Sequence, residues 1–176
     1  MSDMFNPLTI ETMREHLLAN GFRAEIVADA NAGIQFVRSA TSGLSFDIRM
    51  GNRLATEQLG FADAAFVAVF NILGDFPLDQ VNAWNCTRRF GRLQIDTSNP
   101  GHKFLVLCMD VVVAGGISRQ NFDAQIAIWD GLIQQLIPWL REEAAKARVA
   151  TDATAGASAS ANATPAAPGS MTGAFA

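Results

Sequence analysis

The stretch that decides the fold is Trp84–Ser118, WNCTRRFGRLQIDTSNPGHKFLVLCMDVVVAGGIS. It joins a helix end, a two-strand ribbon and a helix start. Leu78, Val81 and Trp84 share one face of a helix that Pro77 opens, and Gly91 is placed to end it. Arg92–Asp96 starts a strand, and Thr97-Ser98-Asn99-Pro100-Gly101 is a turn by composition. Phe104–Val113 is an apolar run interrupted by Asp110, which predicts a strand covered on both faces. Gly115-Gly116 lets the chain reverse, because glycine adopts backbone angles that other residues resist. Ser118 then caps the last helix, with Ile117 and Phe122 spaced for a hydrophobic staple.

Upstream, Thr9 is an N-cap with Leu8 and Met13 placed as its staple, and Asn20-Gly21 stops that helix. Strands are expected at Glu25–Ala28, Gly33–Ser39 and Leu44–Met50, the last with the clearest alternation in the chain. A fourth, Ala64–Leu73, is apolar on both faces. Gly51–Asp63 is a connection without an assignment. Downstream, Phe122, Ile126, Trp129, Ile133, Leu136 and Leu140 form one helical stripe. Pro138 predicts a kink or break near Gln134. The order α-β-β-β-β-α-β-β-α implies an α+β domain with an antiparallel sheet packed against helices.

Residues 1–146 of the 176 form this domain. Its size lets it remove roughly 70% of its unfolded surface from water, so it needs no metal or disulfide. Residues 147–176 are rich in Ala, Ser, Thr and Pro, and from about Val149 too few large side chains remain to offset ordering. A disordered tail is expected there, with Phe175 a stray aromatic.

Formal net charge is −4, and Lys103 and Lys146 are the only lysines. That disfavours nucleic acid, although Arg88, Arg89 and Arg92 cluster beside Trp84 and Phe90. The cluster reads better as positive charge at a helix C-terminus. No secretory signal and no apolar run of about 20 residues is visible. A cytoplasmic protein is expected, in which Cys86 and Cys108 stay reduced.

Catalytic chemistry finds no footing. His16 and His102 have no local Cys or carboxylate arrangement and read as surface or half-exposed residues. Two histidines and two cysteines are a poor zinc set. Asp47, Asp96 and Asp110 could be neighbours, but acids at strand ends more often cap turns or pair with Arg. No catalytic residue, metal ligand or cofactor is assigned. Asn85, on a helix with an apolar stripe, must find partners, and its amide could tie the helix to a strand edge.

Asn82-Ala83-Trp84-Asn85, Arg89-Phe90, the strand ending at Asp96, and Met109-Asp110 through Gly115-Gly116-Ile117-Ser118 resemble the YbjN domain family of bacterial sensory transduction regulators. The resemblance spans roughly Thr9–Leu140. It makes Trp84, Asn85, Arg89, Phe90, Asp110, Gly115 and Gly116 signature residues of structural or interface type. It implies a noncatalytic regulatory protein with a fold similar to type III secretion chaperones, acting through protein partners of unspecified identity. The Thr97–Lys103 insertion and the tail depart from the compact pattern. Strands apolar on both faces exceed what three helices can cover, which points to a homodimer or another protein on the free face. The alternative is a small-ligand binder or enzyme with Trp84, Phe104 and Trp129 lining a pocket between sheet and helices.

Overall fold

A computed structural model describes residues 4–5, 8–29, 33–54, 60–71 and 76–161, with side chains followed to 146. The elements are β1 (Met4–Phe5), α1 (Ile10–Ala19), β2 (Arg23–Asp29), β3 (Ile34–Thr41), β4 (Leu44–Met50), β5 (Asp63–Asn71), α2 (Leu78–Thr87), β6 (Arg92–Asp96), β7 (Phe104–Val112), β8 (Ile117–Ser118) and α3 (Arg119–Ala161). Six strands form one antiparallel sheet in the order β2-β3-β4-β5-β7-β6. The α+β class and the order of its main elements are as the hydrophobic pattern predicts. Beyond that pattern, β1 and β8 add a two-residue ribbon, with Met4 opposite Ser118 and Phe5 opposite Ile117. So short a pairing leaves no periodicity to read.

Contacts divide the chain into Met1–Gln135 and Leu136–Ala176. In the first unit the core lies on one face of the sheet. Register puts Ile26, Val37, Ile48 and Phe66 in one row, and Met109 of β7 beside Phe66. Trp129 of α3 closes over this row. Its ring lies 5.5 Å from Phe46 and 5.6 Å from Phe66. Each such aromatic contact adds about 0.5–1.5 kcal/mol beyond area burial. α1 joins the same layer, with Leu8, Met13 and Leu17 fully buried. Its start is fixed as expected: Thr12 N–H donates to Thr9 Oγ1 at 3.2 Å, and Thr9 N–H donates to Thr12 Oγ1 at 2.9 Å. Ser118 caps α3, its Oγ accepting from the Asn121 N–H at 3.1 Å.

Several expectations change. Leu105, Val106 and Leu107 are all buried, and burial along β7 alternates only after Cys108: Met109 and Val111 are buried, while Asp110 and Val112 face solvent. The strand is covered on both faces around Val106, and not at its Asp110–Val112 end. Pro77 is the N-cap of α2 rather than its first residue, and α2 ends at Thr87, before Gly91. Gly91 is buried for a different reason: a Cβ there would lie 2.9 Å from Leu132 Cδ1 and 3.3 Å from Leu107 Cδ1. It admits α3 to the sheet rather than ending a helix. Gly115 and Gly116 have φ of 82° and 86°, the left-handed angles expected of that reversal.

In the second unit α3 runs unbroken through Pro138 to Ala161. Alanine is the strongest helix former, so the Ala-rich composition after 147 suits a helix as well as it suits disorder. The rest of the expected tail, 162–176, lies outside the described residues, as does Phe175.

Candidate functional site

The signature residues gather around β6. Trp84 is buried on α2, with the Arg88 guanidinium 5.1 Å above its ring. The next residue, Asn85, turns its amide onto the strand. Its Nδ2 donates to the Leu93 carbonyl at 2.9 Å, and its Oδ1 accepts from the Leu93 N–H at 2.8 Å. One side chain thus imitates a neighbouring strand for one residue. Beside Leu93, Arg92 reaches across the outer face of the sheet and donates to Asp110 Oδ2 at 2.7 Å. That contact favours the charged guanidinium and raises its pKa. Arg89 stacks on Phe90 at 5.3 Å in the turn before β6. Phe90 is 61% exposed and has φ of 71°, an uncommon angle for a bulky residue. Gly115 and Gly116 lie beyond β7 in the turn to β8. Asn85 and Asp110 hold β6 from two sides, and the seven residues do not converge on one pocket.

The three aspartates are separate. Asp47 makes a two-pronged pair with Arg38, 2.8 Å to Nε and 3.1 Å to Nη2. Asp110 pairs with Arg92. Asp96 accepts from the Ser98 N–H at 2.8 Å, which lowers its pKa. No two of them form an acid–base dyad. Among the described residues, no group of three or more His, Cys, Asp or Glu could hold a metal. Burial pushes the Cys108 thiol up, and nearby Asp110 adds to that, so it is no poised nucleophile.

The pocket alternative separates into its parts. Trp84 and Trp129 are fully buried, whereas Phe104 alternates with Leu105 and lies on the other face of β7. A cleft of about 520 Å³ does exist near the start of α1, bordered by Thr9, Glu11, Gln35, Met50, Arg53 and Phe61. Neither tryptophan lines it, and nor does Phe104.

His16 is the residue that sequence reading misplaces. It is 5% exposed, its Nε2 lies 2.7 Å from Asp123 Oδ1, and its ring meets Phe122 edge-on at 5.1 Å. Asn20 Nδ2 donates to the same carboxylate at 3.0 Å. This knot fastens the end of α1 to the first turn of α3. Asp123 and Phe122 lie more than a hundred residues from His16, so no local spacing signals them. His102 is exposed, stacked on Phe104 at 6.2 Å.

The outer face of the sheet is the remaining feature. Val67 lies opposite Cys108, and Val69 opposite Val106. Val69 is 48% and Val112 68% exposed. The Arg38–Asp47 and Arg92–Asp110 pairs stand on either side of the Val67 and Cys108 positions. The face is more polar than expected from strands that read as apolar on both sides. Among the described residues, no helix is long and apolar enough to cross a membrane.

No curated protein matches this chain. Among solved structures it is similar to one described as "Crystal structure of YbjN, a putative transcription regulator from E. coli". The two share 15% identity and a TM-score of 0.56, over 73% of this chain and 88% of that one, a likeness of fold. Residues 9–142 match the family described as "YbjN: Putative bacterial sensory transduction regulator". With most of its length inside that match, this chain belongs to the YbjN family.

Proposed function

We propose that this chain is a noncatalytic regulatory module that works in the cytoplasm by binding other proteins, in the manner of a chaperone or a transduction regulator. The observation that carries this is the outer sheet face: Val69 and Val112 are exposed toward opposite ends of adjacent strands, with the Arg38–Asp47 and Arg92–Asp110 pairs on the rows between them. Exposed apolar side chains interspersed with ordered charge suit a docking surface. Membership of a family of regulators supports the same reading. Asp47, Asp96 and Asp110 are each paired with Arg or a backbone amide, so none of the three stands as a general acid or base.

The test is to place a photocrosslinking side chain at Val112 and, separately, at exposed Glu11 on α1, in native cells. Partners captured at Val112 and absent at Glu11 are expected, and Val69→Asp should abolish them. Equal capture at both positions, or capture indifferent to Val69→Asp, would overturn the reading.

A further inference from the structure

We infer that a second copy of this chain occupies the free edge of β2, antiparallel to it and centred on Ile26, so that two sheets become one. This joint names a partner for the protein-binding reading and rests on that reading only in treating the chain as an interaction module.

The phase of the β3–β4 hairpin fixes which main-chain groups of β2 are free. β3 and β4 are joined by the two residues Ser42 and Gly43, with φ of 51° and 77°. Two positive angles in a two-residue hairpin make a type I′ turn, so Thr41 and Leu44 exchange both hydrogen bonds. Alternation then aims the main-chain groups of Thr41, Ser39 and Val37 at β4, and those of Ala40, Arg38 and Phe36 at β2. The register answers these with Arg23, Glu25 and Val27. The N–H and C=O groups of Ala24, Ile26 and Ala28 therefore point away from the sheet. Among the described residues no other hydrogen bond reaches them. The strand runs seven residues without a proline, a glycine or a break in register, the form of edge most open to strand addition.

Burial agrees with this edge being open. Ile26, Val37, Ile48 and Phe66 form one row on the core face. The last three are fully buried, and Ile26 alone is only half-buried. One more strand would cover it.

Charge selects the occupant and the register. In a symmetric antiparallel joint, only residues on the same face meet, so the two-fold axis passes through a residue. Centred on Glu25, that carboxylate would face its own copy. Centred on Val27, Glu25 would face the partner's Asp29. Centred on Ile26, Arg23 faces the partner's Asp29 and Asp29 faces the partner's Arg23. Ala24 then meets the partner's Ala28, and Ile26 meets its own copy. Like charges opposite one another destabilise a strand pair and unlike charges stabilise it. Of the three registers that pair most of the strand, only the one centred on Ile26 makes RAEIVAD complementary to itself; centring on Ala24 would also oppose Arg23 and Glu25 but leaves most of β2 unpaired.

The experiment is sedimentation of the full chain and of two charge reversals. Wild type should dimerise. Arg23→Asp alone and Asp29→Arg alone should each weaken the dimer by about tenfold or more, since both joint pairs become repulsive. Mixing the two variants should restore a dimer, now composed of one of each, because both pairs are again attractive. The restoration also shows that each variant is folded. A wild-type monomer at every concentration overturns the inference, as does a dimer indifferent to both reversals. A dimer broken instead by Val69→Asp overturns the edge joint while leaving the outer face as the binding surface. Charge-reversal behaviour as expected, without partner capture at Val112, leaves the edge joint standing and removes the proposed function.

Discussion

At one edge of the sheet Asn85 reaches from α2 and fills both hydrogen-bonding positions of Leu93. At the other edge, β2 leaves those of Ala24, Ile26 and Ala28 facing outward, and Ile26 stays only half-buried. The difference lies in the helix that precedes each edge strand. α2 and β6 are consecutive, so a helix is already at hand to cover Leu93, which is buried. β2 is preceded by α1, which commits its apolar face to the core layer and its His16 to α3. The Trp84-Asn85 pair at the closed edge therefore records how the fold is finished. The open edge carries its information in charge order, which no motif of apolar spacing detects.

The closed edge should be the costlier to disturb. Gly91 sits where a Cβ would press on Leu132 and Leu107. Gly91→Val overpacks that junction and should destabilise the protein by about 2–3 kcal/mol, read from the urea midpoint. A change below about 0.5 kcal/mol would mean that α3 yields freely and that closure does not depend on this contact.

Asn85→Ala comes next. It removes two hydrogen bonds and leaves the Leu93 N–H and C=O without their partner, an expected loss of about 1–2 kcal/mol. Hydrogen exchange at the Leu93 amide should accelerate while Leu107, its inner-strand partner, stays protected. Asn85→Asp keeps the acceptor but turns a carboxylate toward the Leu93 carbonyl, so it should not rescue. If Asn85→Asp matches wild type, the two-bond account of the closed edge is incorrect.

These residues also show what could be read in advance. The amide of Asn85 finds its partner eight residues on, and a polar residue on an apolar helix stripe announces that need. The strands announce themselves by alternation, β4 above all. Asp110 reads as an interruption of an apolar run, and the structure shows why: it is where β7 turns its uncovered face to Arg92. His16 could not be read this way. Its environment is assembled from Asp123 and Phe122, and only the folded α1–α3 contact brings them together. Gly91 misleads for the same reason. A glycine after a helix resembles a stop, yet the atoms that require it belong to Leu132 and Leu107. Local chemistry is legible; obligations to distant residues are not. The outer face mixes both kinds, since Val69 and Val112 look like core until the missing helix layer is known.

The smallest effect on the monomer, and the sharpest contrast between the edges, should come from Ala24→Pro. Proline lacks an N–H and is tolerated in a strand only where that group faces away from the sheet. At Ala24 the alternation set by the β3–β4 hairpin makes the N–H outward, so no bond to β3 is lost. The side chain is small and half-buried, and the preceding Arg23 is already extended, as a residue before proline prefers. Reduced freedom of the unfolded chain offsets part of any strain. The monomer should lose about 1 kcal/mol or less, whereas pairing with the partner's Ala28 loses a donor on each side of the joint's centre. Urea unfolding and sedimentation on the same sample separate these outcomes. If the monomer instead loses more than about 3 kcal/mol, the N–H of Ala24 serves β3. The phase of the whole strand would then be inverted, and the free groups would belong to Arg23, Glu25 and Val27.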